Sequence, residues 1–237
     1  VIGWDRWSDE PEFAESIQAF GVTGVCGSGI IEAVAEMYLA GIIDEDGVVD
    51  GELAERSERV IPDNRTWSFV LYDGRQQIVV TQNDVRQIQL AKAALYAGIK
   101  LLLDRAGIET VDRIRLAGAF GSHIDPKYAM VLGLIPDCAL DAVESAGNAA
   151  GTGASIALLD TSTRAEIEAT VRDIEKIETA IEPKFQDYFV DAMAIPNKSD
   201  AFPKLFAAVV PPAPKSGPAV TDARRKRRRR KRLKQER

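Results

Sequence analysis

Apolar residues recur at helical spacing in two long stretches of this chain, and the segments between them either alternate or stop at glycine. From Gly29 to Ala40 the apolar positions Ile30, Ile31, Val34, Met37 and Tyr38 fall three or four apart, which predicts a helix ended by Gly41. From Gln82 to Ala106, Val85, Ile88, Leu95, Ile99 and Leu102 or Leu103 mark a second apolar stripe. Ala91, Ala93, Ala94 and Ala97 add helix propensity, so one long helix stopped by Gly107 is predicted. Between them, Trp67 to Asp73 and Gln77 to Thr81 flank Gly74-Arg75 and read as a hairpin or two edge strands.

After Gly107 the pattern shortens. Arg113 to Ala117 reads as a strand that runs into Gly118-Ala119-Phe120-Gly121-Ser122, and a helix starts near Asp125-Pro126. The glycine-rich stretch from Ser145 to Ala154 feeds a helix ending near Asp160, and Thr163 to Ala180 reads as an amphipathic helix. Residues 1–23 show no clear period and are unassigned, as the end of an upstream element; the folded unit is placed at 24–208. Residues 209–237 read as a proline-rich linker, Val209 to Pro218, and a basic tail. The chain opens on Val1-Ile2-Gly3-Trp4 rather than Met, as a piece of a longer polypeptide would.

Charge sharpens that division. Residues 224–237 hold eleven Lys or Arg and one Glu, a net of +10, which leaves −16 on residues 1–223. Nine consecutive cations from Arg224 to Arg232 repel one another and predict disorder. They offer salt-dependent attraction for polyanions but no interleaved aromatics, and hence no specific nucleic-acid recognition. No apolar run reaches the roughly 20 residues of a membrane span, and no secretory signal opens the chain, so the cytoplasm is expected. Cys26 and Cys138, both in segments that read as folded core, lack the spacing of a disulfide framework, a metal site or an iron-sulfur site.

The chemistry concentrates at three glycine turns: Gly24 to Gly29, Ala117 to Ser122, and Gly147 to Gly153. A glycine turn that opens a helix lets the backbone approach a ligand and aims free N–H groups at an anion, for which phosphate or nucleotide is the natural guest. None is a phosphate loop with the GxxxxGK[ST] pattern, and none carries GxGxxG in a short βαβ unit.

Taken in order, these segments resemble the C-terminal half of the acetate and sugar kinase, heat-shock chaperone and actin superfamily. The resemblance is closest to the reductive activators of corrinoid proteins. It rests on Gly24-Val25-Cys26-Gly27-Ser28-Gly29-Ile30-Ile31-Glu32-Ala33, on Leu116 to Asp125, on Gly133-Leu134-Ile135-Pro136 and on Gly147-Asn148, and spans about Gly24 to Pro203. The fold it implies is α/β of the ribonuclease-H-like, actin-like ATPase type, a mixed sheet flanked by helices, with a nucleotide cleft facing a lobe formed upstream. The function it implies is ATP-dependent reduction of cob(II) to cob(I) in a corrinoid protein or cobalamin-dependent methyltransferase. Electrons would come from a two-iron two-sulfur cluster in an N-terminal ferredoxin-like domain absent from this chain, and the magnesium ligands and catalytic residues would lie upstream, leaving this fragment inactive alone.

Under that resemblance Gly118, Ala119, Phe120 and Gly121 are the candidates for contact with adenosine or the α-phosphate. Phe120 suits either a flat ring or plain core filling. Ser28 suits a phosphate contact or an ordinary N-cap, and Gln89 and Lys92 suit polar contacts to adenine or ribose or a solvated helix face. Gly27, Gly147 and Asn148 complete the set, Asn148 bridging loops or capping its helix, while Cys26 is expected to pack. His123 is expected to be structural. A homodimer is compatible with the sequence. The rival readings are a small-molecule kinase of the same superfamily, for which no acid or base pair is visible, and a nucleic-acid-binding adaptor acting through the tail. A third, the acyl-CoA dehydratase activators, lacks support from two isolated cysteines.

Overall fold

The computed structural model describes residues 21–118 and 120–212; the unassigned opening segment, Ala119 and the basic tail lie outside them. Helix α1 (Gly27–Leu39) begins two residues before the predicted start, and Ala40 caps it ahead of a left-handed Gly41. Its apolar stripe buries Ile31, Val34, Ala35 and Tyr38, the i, i+3, i+4, i+7 face that the spacing demands.

A three-stranded antiparallel sheet follows, in the order β1 (Val60–Asp63), β2 (Thr66–Tyr72), β3 (Ile78–Val80). The hairpin reading of β2 and β3 holds, with Phe69 opposite Val80 and an irregularity between Val70 and Tyr72. Strand β1 escaped the sequence because it is four residues long and contains Pro62, which sits on an edge strand where its missing N–H costs no ladder bond.

Helix α2 spans Gln82–Ala106, as predicted, between a Thr81 cap and a left-handed Gly107. Its buried face differs from the predicted one. Leu95 and Leu102 are half exposed, whereas Gln89 and Lys92 are buried beside Val85, Ala93 and Tyr96. Helix α6 (Phe185–Asp191) packs along α2, and the loop after it covers the polar pair.

Strand β4 (Ile114–Ala117) pairs in parallel with β5 (Val143–Gly147), so the five strands of the described residues divide between an antiparallel and a parallel sheet flanked by helices. Between these strands, α3 (Pro126–Val131) packs on α1 and contributes the fully buried Met130 and Val131 to the core. Helices α4 (Ala149–Leu159) and α5 (Thr161–Asp173) follow, and α7 (Pro203–Ala208) closes the described chain by inserting Leu205 beside α3. Helix α5 stops at Asp173, short of the predicted Ala180. None of its residues is buried, so no packing holds further turns in place. No helix among the described residues is long and apolar enough to cross a membrane.

Candidate functional site

The parallel pairing of β4 with β5 sets the site, because in such sheets ligands gather at the carboxyl ends of the strands. Ile114 lies opposite Val143 and Leu116 opposite Ser145, after which the register shifts and Ala117 faces Gly147. Just beyond, the Gly118 N–H donates to the Gly147 carbonyl at 2.8 Å, which ties the second glycine turn to the third. Gly118 has φ +97° and Gly147 φ +60°, conformations that a side chain strains. The space in front of both is open, for a Cβ added at either would meet nothing within 4 Å.

The chain then tightens into a 3-10 turn from Phe120 to Ser122. The Ser122 N–H and hydroxyl both reach the Gly118 carbonyl, at 3.2 and 3.1 Å, and the Ser122 and Ser145 hydroxyls lie 3.3 Å apart. Gly121 presses on the backbone of Leu116, where an added Cβ would sit 3.1 Å from the carbonyl carbon. The Phe120 ring is 53% exposed, which removes the core-filling reading. It lies over Gly27, whose added Cβ would come 2.8 Å from Cε2, so the first glycine turn joins the other two.

At that first turn Cys26, not Ser28, is the N-cap of α1. Its Sγ accepts from the Gly29 N–H at 3.4 Å and lies 3.5 Å from the Ser28 hydroxyl. Cys26 is exposed rather than packed, and the Ser28 hydroxyl, then the Gly29 N–H, hold its thiol below the usual cysteine range. Ser28 is buried on the second position of the helix, and the N-cap alternative for it does not hold. Cys138 is fully buried. Asn148 caps α4, its Oδ1 accepting from the Gly151 N–H at 3.0 Å. The His123 N–H donates to the Phe120 carbonyl at 3.1 Å, extending the turn.

Glu32, which the sequence reading did not single out, stands one turn after Ser28 on the same face of α1. Burial first, and then the charge of Asp125 at the start of α3, hold its carboxyl above the usual range, partly offset by Lys127. Its i+4 spacing from Ser28 was the available signal.

Gln89 and Lys92 form a separate cluster among loop carbonyls. Gln89 Nε2 donates to the carbonyls of Asp46 at 3.0 Å and Met193 at 2.8 Å, and Lys92 Nζ donates to Pro196 at 2.7 Å and to Ala194. Both side chains are 1% exposed, so the solvated-face reading does not describe them. Burial draws the Lys92 ammonium down to about 7. Among the described residues no group of three or more His, Cys, Asp or Glu side chains is placed to hold a metal ion.

Two glycine turns at the ends of the parallel strands, with the first glycine turn against Phe120, can cradle an anion and a flat ring on backbone N–H groups and one exposed aromatic side chain. Comparison with known proteins points the same way. Residues 4–206 match the family model described as the C-terminal domain of RACo, the ASKHA domain. Over 183 residues the chain is 37% identical to the corrinoid activation enzyme RamQ of Eubacterium limosum, covering 72% of this chain and 31% of that protein. A solved structure, a reductive activator for a corrinoid, iron-sulfur protein, superposes with TM-score 0.67 at 33% identity, covering 78% of this chain and 30% of that one. The chain thus spans about a third of the length of the relatives it matches.

Proposed function

Since the chain belongs to the family of reductive activators of corrinoid proteins, as its C-terminal ASKHA domain, we propose that it forms the nucleotide-holding half of an ATP-dependent activator acting in the cytoplasm. The observation that carries the reading is the convergence of the three turns, through the Gly118 to Gly147 hydrogen bond and the contact of Phe120 with Gly27. The boundaries 24–208 for the lobe and 209–237 for linker and tail belong to the same proposal.

The residues present fit a nucleotide. Gly118 and Gly147 keep positive φ with free space before them, and the N-termini of α1 and α4 aim backbone N–H groups from the first and third turns. Phe120 offers its exposed face to the base, and Gly121 and Gly27 keep the turn close-packed behind it. Ala119 joins this contact set by its place in the turn. Gln89 and Lys92 act one step removed, holding the 193–196 loop and not touching the nucleotide. Asn148 orients α4.

ATP would supply a difference in affinity between two conformations, stabilising the one in which the partner's cobalt accepts an electron, since a ligand shifts an equilibrium only by its differential affinity. As the family resemblance implies, the magnesium ligands and the two-iron electron donor are assigned to the portion that precedes this C-terminal domain in its relatives. The partner is a corrinoid protein or cobalamin-dependent methyltransferase in the cob(II) state, returned to cob(I).

The test joins this chain to the preceding portion found in its relatives and follows the cobalt spectrum with ATP and a low-potential donor. Conversion of cob(II) to cob(I) should depend on ATP and fall at least tenfold in Gly118→Asp, which strains the turn and sets a carboxylate against phosphate. ATP hydrolysis with an unchanging cobalt spectrum would sink the activator reading and bring the kinase forward.

A further inference from the structure

Gln89 lies where three elements meet. Its Nε2 donates to the Asp46 carbonyl of the 44–47 turn at 3.0 Å and to the Met193 carbonyl of the loop after α6 at 2.8 Å. Those two bonds fix the amide, and its Oε1, buried with the rest of the side chain, meets no donor among the described residues. An amide oxygen buried without a donor loses its hydration uncompensated, so its place in a native fold calls for a partner. The walls around it are held firmly. Gly47, at φ +74°, packs flat on the amide, where an added Cβ would lie 2.6 Å from it, and the Ile195 N–H ties the loop to the turn by donating to the Glu45 carbonyl at 2.8 Å.

Gln89 is also part of the wall of an open cavity of about 800 Å³. Glu45 and Asp46 line it from the turn, Arg86 from α2 one turn before Gln89, and Lys198 from the loop. Among the described residues none of these four side chains makes an ion pair, and no third ligand joins the two carboxylates to hold a metal ion. Val190 and Met193 add apolar surface. The charges balance two against two, so neither a simple anion nor a simple cation is the matched guest. One water can satisfy an amide oxygen, but it answers none of the four charges. We infer that this cavity binds a small amino-carboxylate zwitterion. Its ammonium donates to Gln89 Oε1 and is neutralised by Glu45 and Asp46, its carboxylate is held by Arg86 and Lys198, and its aliphatic stem lies on Val190 and Met193. The site shares no residue with the three glycine turns, and the inference does not depend on their binding a nucleotide.

An amide NMR titration of the full chain, with no nucleotide present, tests it. The probe is ε-aminocaproate, and caproate and hexylammonium are its single-charge counterparts. The zwitterion should bind with a Kd at or below about 1 mM and at least about tenfold more tightly than either counterpart, moving the amide signals of residues 45–47 and 194–198 and of the Gln89 side chain. Asp46→Asn and Arg86→Gln should each weaken it at least about fivefold, by removing one end of the charge match. Both side chains are exposed, so the fold tolerates either change. Equal affinity for the three compounds would overturn the inference, as would shifts confined to other residues or a titration unchanged in both variants. Tighter binding of hexylammonium would make the cavity a cation site and overturn it too. So would the absence of any shift from ε-aminocaproate at about 10 mM, well above the affinity expected.

Discussion

Gly133 meets the loop that Lys92 holds. It has φ +71°, and a Cβ placed there would lie 2.1 Å from the Pro196 carbonyl oxygen, the same oxygen that accepts from Lys92 Nζ at 2.7 Å. Gly41 has the same φ with nothing within 4 Å. Gly41→Ala should therefore cost about 1 kcal/mol, from backbone strain alone. Gly133→Ala adds a backbone clash and should cost about 3 kcal/mol; equal midpoints in chemical denaturation would refute the distinction. Lys92 gives a pH signature. Its folded value of about 7 lies below the unfolded 10.5, so the unfolded chain binds more protons between those values and stability rises with pH across that window. The gain is bounded at about 1.4 kcal/mol per pH unit, and the two carbonyls that favour the charged form reduce it. The thermal midpoint should rise from pH 7 to pH 9 in the wild type and rise less in Lys92→Met; parallel profiles would remove Lys92 as the source. The polarity of Gln89 and Lys92, not their spacing, hid their burial. They fall on the face of Val85 and Ala93 at i+4 and i+7 from Val85, and the loop carbonyls that make burial tolerable come from Asp46, 43 positions away, and from the 193–196 loop, 102 to 104 positions away.

Elements with strong local signals were legible, and the long helix is the clearest case. The Thr81 hydroxyl accepts from the Asp84 N–H at 3.1 Å while the Asp84 carboxylate accepts from the Thr81 N–H at 2.8 Å, a reciprocal cap that fixes the start of α2 where the sequence placed it. Thr81→Ala should lower stability by about 1 kcal/mol, and Thr81→Ser by much less. If the alanine variant unfolds at the wild-type denaturant midpoint, the cap contributes nothing. Strand β5 was hidden because its residues, Val143 to Gly147, run into the glycine-rich stretch and bury only Val143. It exists because β4 offers a parallel edge, a long-range fact without a local pattern. The turns themselves were visible as glycine clusters. That they meet depends on the β4 to β5 register shift and on the Phe120 contact with Gly27, neither of which is encoded within six residues of sequence.

At the scale of the whole molecule, charge separates two tasks. The body carries −16 over residues 1–223 and the last fourteen residues +10, so net charge draws an extended polyanion to the tail. The candidate site at Gly118, Phe120 and Gly147 is built from backbone and one ring and draws on no cationic side chain of its own. Deleting residues 224–237 should therefore abolish retention on an anionic matrix such as heparin. Because the full chain's retention arises from counterion release, it should weaken steeply between about 50 and 200 mM salt. The nucleotide affinity of the protein joined to its preceding portion should be unchanged by the same deletion, within about twofold at 150 mM salt, where the Debye length is about 8 Å. Loss of corrinoid-protein capture on deletion, with nucleotide binding intact, would shift the tail from an independent electrostatic tether to the partner-binding element and favour the adaptor reading. Retention of both functions leaves partner recognition to the acidic body, where the glycine site lies.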